Sequence, residues 1–178
     1  MADTELLVPL AEIAGVFVGF GALIAVRSGG PTDPQEVGPM RIVVSMGMVT
    51  IVAGLTPGVF GRFDLTEHEM WALSSAVVLV AWLLSLAANF RTPEARAVWS
   101  AETAEQRAGS SQRWIAAAVW VAYVLLMALW TLTPVVIIAG VVPELEAALY
   151  YALVALYLFG AGWTLLSMVF AQRRPAAA

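Results

Sequence analysis

The sequence predicts an all-helical integral membrane protein with five spans, and three observations carry that reading. Hydrophobic residues make up 61% of the 178, and the mean hydropathy is +0.83. That is more apolar surface than a soluble domain of this length needs. The charged residues, 12% of the chain, gather at its ends and between long uncharged runs. Five such runs are long enough to cross a bilayer, for which roughly 20 apolar residues suffice.

The first span covers about residues 6–26, with Glu12 its only charge. The segment before it, "MADTELL", carries Asp3 and Glu5 and no basic residue. A cleavable leader has a positive start and a small-residue cleavage site, so the run reads as a retained helix. The second span covers about 42–60 and the third about 70–90. The fourth is assigned to 114–136, although the uncharged stretch continues to Val142. Pro134 is expected to kink or end it, because proline removes a backbone donor and clashes with the preceding turn. The fifth span covers about 147–171. Residues 1–178 form a single transmembrane domain.

The connections read differently from one another. "SGGPTDPQEVGP" is rich in Gly and Pro and is expected to be irregular. The loop 91–113 reads as partly amphipathic helix. In it Thr92 can cap, Pro93 suits the first helical position and Glu94 complements the helix dipole. Trp99 would lie there at headgroup level. Trp71 and Trp114 stand at span ends, as interface anchors do.

The arginines set the expected orientation. Eight of nine, namely Arg27, Arg41, Arg91, Arg96, Arg107, Arg113, Arg173 and Arg174, fall on one side, and Arg62 alone falls on the other. The positive-inside rule then puts the N-terminus outside and the C-terminus inside. The outer segments are acidic, with Glu5, Asp64, Glu67, Glu69, Glu144 and Glu146. Such a chain belongs in the cell (plasma) membrane as a multi-pass protein in contact with lipid. All nine basic residues are arginine, and with heavy Ala and Val use this points to a prokaryotic source.

Spans 2–3 and 4–5 read as a parallel internal repeat. A shift of 77 positions lays Leu55, Thr56 and Pro57 on Leu132, Thr133 and Pro134, and Glu67 and Glu69 on Glu144 and Glu146. Pro57 and Pro134 are therefore expected as matching helix breaks, freeing the carbonyls of Ala53 and Trp130 one turn earlier. Thr56 and Thr133 are the nearest candidates to satisfy them, or the freed carbonyls line a polar cavity.

Glu12 is the residue that raises a functional question. It lies about 9 Å below the outer end of its helix at 1.5 Å per residue. On a helical wheel Val8, Gly15, Gly19, Leu23 and Val26 share its side, while Phe17 and Phe20 point away. Ala11, Gly15 and Gly19 form a small-xxx-small ridge of the kind that lets helix backbones approach closely. The expectation is thus that Glu12 sits on a contact face, hidden from lipid. At similar depth are Thr56, Ser74, Ser75, Thr131, Thr133, Tyr150 and Tyr151, none of them basic. A carboxyl group shielded from water, with no cation beside it, favours its neutral form. It can then exchange a proton, hold a cation beside hydroxyls, or fix helix register through a hydrogen bond. Whether another subunit's Glu12 completes the site is left open.

Other candidates are weaker. "TEHEM" holds the only histidine, His68, between Glu67 and Glu69. It is a weak metal candidate, because adjacent residues rarely converge on one ion. Met46 and Met48 read as packing. Gly54 and Gly58 straddle Pro57 as a second close-approach motif, and Gly160, Ala161 and Gly162 form another small-residue stretch. Several such faces on a short chain point to tight internal packing, a homo-oligomer, or both.

The chemistry is bounded by what is missing. Cysteine and lysine are absent, which excludes thiol chemistry and lysine Schiff bases. No phosphate-loop or dinucleotide fingerprint and no catalytic triad occurs, so no enzyme activity, no cofactor, no bound metal and no nucleic-acid partner are expected. The expected function is a small channel or transporter subunit that passes protons or small cations. Glu12, Thr56, Thr133, Ser74 and Tyr150 would form its ion or proton site. The alternative is a non-transporting scaffold or accessory subunit that docks a partner through its glycine-rich helix faces.

Overall fold

The computed structural model describes residues 4–27, 34–91 and 113–171. Among them are five long helices: α1 (Leu7–Arg27), α2 (Pro34–Phe60), α3 (Glu67–Phe90), α4 (Arg113–Ile138) and α5 (Glu146–Ala171). All five are long and apolar enough to cross a membrane, as in a multi-pass membrane protein. The expected amphipathic helix with Thr92, Pro93, Glu94 and Trp99 lies outside the described residues.

Two boundaries differ from the sequence reading. Helix α2 begins at Pro34, so part of the stretch expected to be irregular is helical and Pro39 lies inside it. Proline at the first helical position gives up a donor that would be unpaired anyway. Helix α4 runs through Pro134 to Ile138 rather than stopping near it. It ends where Gly140 takes a positive φ of 62°, the left-handed conformation glycine adopts without steric cost.

Helix α2 is the centre of the bundle and packs against α1, α3 and α5. Helix α4 lies at the periphery, against α3 and α5. The α1–α2 contact is close because α2 is bare at two points one heptad apart. A Cβ on Gly47 would fall 2.4 Å from Val18 Cγ2, and one on Gly54 would fall 2.8 Å from the Leu7 carbonyl oxygen. Backbone approach of this kind supplies van der Waals contact where lipid leaves no hydrophobic drive between helices.

The core is a column of aromatic rings between α3, α4 and α5. Trp71 lies 5.2 Å from Tyr150 between ring centroids, and Trp130 stacks on Tyr157 at 5.4 Å. Trp82 meets Trp130 edge-on at 5.0 Å and donates its indole N–H to Thr131 Oγ1 at 3.2 Å. Each such ring pair contributes about 0.5–1.5 kcal/mol beyond its contact area.

The two prolines are satisfied by partners the sequence reading missed. Tyr150 donates to the Ala53 carbonyl at 2.8 Å, and Tyr157 donates to the Trp130 carbonyl at 3.3 Å. Those are the two carbonyls that Pro57 and Pro134 free. Thr56 and Thr133 instead donate within their own helices, to Val52 and Leu129. Both threonines take the carbonyl four residues back, which leaves the one freed by the following proline, three residues back, to another partner. The long tyrosine side chain reaches across from α5. Replacing Tyr150 by Phe leaves the Ala53 carbonyl orphaned in the core and is expected to cost about 1–2 kcal/mol of stability. Thermal or denaturant unfolding in detergent checks this; Thr56→Val should cost less.

Candidate functional site

Glu12 lies well inside the apolar span Thr4–Ile24, about 3 Å along the axis from its midpoint residue Ala14. The face it occupies is the opposite of the one expected within a single chain. Leu7, Ala11, Ala14 and Gly21 are buried, and Phe17 packs against the core. Glu12, Val16, Gly19 and Leu23 are exposed. At about 100° per residue, Glu12 stands half a turn from Gly21. The carboxyl group therefore points away from the chain's own bundle, with no hydrogen-bond partner among the described residues.

The physical reason is the position of the bare patches on α2. Gly47 and Gly54 accept the α1 edge that carries Leu7, Ala11, Ala14 and Val18, which rotates Glu12 outward. The ridge Ala11–Gly15–Gly19 is split by this arrangement. Ala11 touches Gly54, while a Cβ on Gly15 or Gly19 would meet nothing within 4 Å among the described residues. Phe17, expected to point away, instead lies 3.1 Å from where a Gly162 Cβ would be. Gly58 likewise opens onto free space, whereas a Cβ on Gly160 would press on Met46 and Trp130 at 3.0 and 3.1 Å.

The hydroxyls considered as partners for Glu12 are engaged elsewhere or buried in the interior. Thr131 donates to Met127 and Tyr150 to Ala53, as Thr56 and Thr133 do to their own helices. Ser74 and Ser75 are fully buried in the core. Pro57 and Pro134 are buried as well, and their freed carbonyls are taken by tyrosines, so neither proline opens a polar cavity. No known protein family, curated protein or solved structure matches the chain.

The acidic end of the bundle holds a second constellation. Thr66 and Glu69 form a reciprocal capping box at the start of α3: Thr66 N–H donates to Glu69 Oε2 at 2.8 Å and Thr66 Oγ1 accepts from Glu69 N–H at 3.3 Å. The pattern T-x-x-E before an apolar run was the readable signal for it. His68 turns to the far side of the helix and meets Glu146 across 2.7 Å. Nδ1 of the ring and Oε1 of Glu146 share this one hydrogen bond. Glu146 is 2% exposed, and this bond ties the start of α5 to the start of α3. A Cβ on Gly140 would lie 3.0 Å from the His68 ring, so the turn after α4 closes over the pair. The neighbours in "TEHEM" thus diverge, and among the described residues no group of three or more His, Asp or Glu converges on one point.

Proposed function

We propose that the chain is a subunit of a homo-oligomeric membrane channel or transporter that passes protons or small cations. Glu12 is the titratable or cation-holding group, placed where copies of α1 meet. The observation that supports this is the outward position of Glu12 at membrane depth, beside the open backbone at Gly15 and Gly19. An acid facing lipid there costs about 3 kcal/mol or more. A second copy of α1, approaching over the glycines, removes that cost by covering it. A closed ring of copies then lines up one carboxyl group per subunit, as selectivity rings do.

The positive-inside arginine bias orients this assembly with its N-terminus outside. Asp64, Glu67, Glu69 and Glu144 are exposed and would concentrate cations at the outer mouth. Thr56, Thr133, Ser74 and Tyr150 leave the proposed ion site, because their hydroxyls belong to their own chain's helices and core. The same open glycine face favours a second reading, a non-transporting accessory subunit that docks a partner there.

Flux in liposomes separates the two. The purified protein is expected to dissipate a proton or monovalent-cation gradient, and Glu12→Gln is expected to reduce the rate at least about tenfold, a transition-state cost near 1.4 kcal/mol. Wild-type protein without flux under any gradient would sink transport and leave the accessory reading. Unchanged flux in the variant would remove Glu12 from the path.

A further inference from the structure

The interior of the chain holds a polar site that the Glu12 reading does not use. Trp71, Ser74 and Ser75 are 1%, 0% and 0% exposed, and the Trp71 indole N–H and both serine hydroxyls have no hydrogen-bond partner among the described residues. Spaced at i, i+3 and i+4, they share one face of α3, with Cβ atoms about 5–6 Å apart. Other buried or half-buried hydroxyls behave differently: Thr50, Thr131 and Thr164 each donate to the carbonyl four residues earlier. Two adjacent serines that forgo this bond, beside an indole that also lacks one, form a concentrated polar cluster in a membrane-spanning helix.

A polar group buried in the dry without a hydrogen bond is destabilising, and three fall within one turn. A water molecule has the matching chemistry: it can accept from the indole and from one hydroxyl and donate to the other. A buried water needs about three polar partners, the number present here. The same face of α3 leads to solvent. It begins at His68, which is half-exposed and bonded to buried Glu146, and continues through Trp71 to the serines about two turns further in. Across from it on α5, Glu146 and Tyr150 meet His68 and Trp71 in turn.

We propose that Ser74 and Ser75, with the Trp71 indole N–H, form an internal water-binding site hydrated from the acidic end of the bundle past the His68–Glu146 pair. The site lies inside one chain. It stands or falls independently of whether Glu12 carries ions between copies.

The test is nuclear magnetic resonance on nanodisc-embedded full-length protein with 15N-labelled tryptophan. Trp71→Phe assigns the Trp71 indole signal among the seven tryptophans. The expected result is a direct cross-relaxation peak between the Trp71 indole proton and water. S74A/S75A should lose that peak while the Trp82 indole, bonded to Thr131, is unchanged. An absent peak in the wild type overturns the site. A peak that survives in the double variant overturns the role of the serines. Should the double variant fail to fold, the wild-type peak decides on its own, its presence supporting the site and its absence overturning it.

Discussion

Gly54→Leu is expected to prevent the bundle from forming. The first side-chain atom already collides, lying 2.7 Å from Ala11 Cβ and 2.8 Å from the Leu7 carbonyl oxygen. One of these neighbours is backbone and cannot rotate away, so α1 must leave α2. Overpacking of a well-filled core costs about 1–3 kcal/mol where side chains can adjust, and here a main-chain contact must break as well. With only about 5–15 kcal/mol holding a typical native state together, a loss above about 3 kcal/mol should show as little monodisperse protein after detergent extraction. Gly54→Ala should move the unfolding midpoint in the same direction by less. Normal yield and midpoint for Gly54→Leu would mean that α1 does not pack on α2 through this glycine.

Gly19→Leu is expected to do the reverse: leave the chain folded and take the assembly apart. Nothing among the described residues lies within 4 Å of a Cβ at that position, so the fold has no reason to shift. Exchanging Gly for Leu inside a helix raises helix propensity by about 0.8 kcal/mol, which favours α1 slightly. Between copies, however, a leucine holds two backbones apart at the point where the glycine face lets them meet. Light scattering of detergent-solubilised protein should therefore report a monomer for Gly19→Leu and an oligomer for wild type. Circular dichroism should still report the wild-type helix content. Gly15→Leu should behave alike. If the variant keeps its oligomeric state, the copies do not meet through this face. The pair of glycines, 54 and 19, thus separates contact inside the chain from contact between chains.

Much of the architecture was legible before any coordinates. The five apolar runs, the acids clustered between them and the shared face of Glu12, Gly15 and Gly19 follow from composition and from 100° per residue. The carbonyls of Ala53 and Trp130 follow from the prolines by rule. That Tyr150 and Tyr157 would donate to them was not readable, although the two tyrosines sit seven residues apart on one helix. Pro57 and Pro134 are 77 residues apart in sequence, yet both are served from α5. The spacing of Gly47 and Gly54 was a missed sign of where α1 would lie.

What the sequence determined by itself is the number of spans, their apolar character, and which residues share each helical face. What only the tertiary structure decided is which face of each helix turns inward. In a soluble protein the apolar face answers that question, because water rejects it. In helices that are apolar all round, lipid and protein interior are nearly the same solvent for a side chain. Inward and outward are then settled by shape, by which bare stretch of α2 admits which edge of α1. That fit, made at Gly47 and Gly54, is what leaves Glu12 facing out.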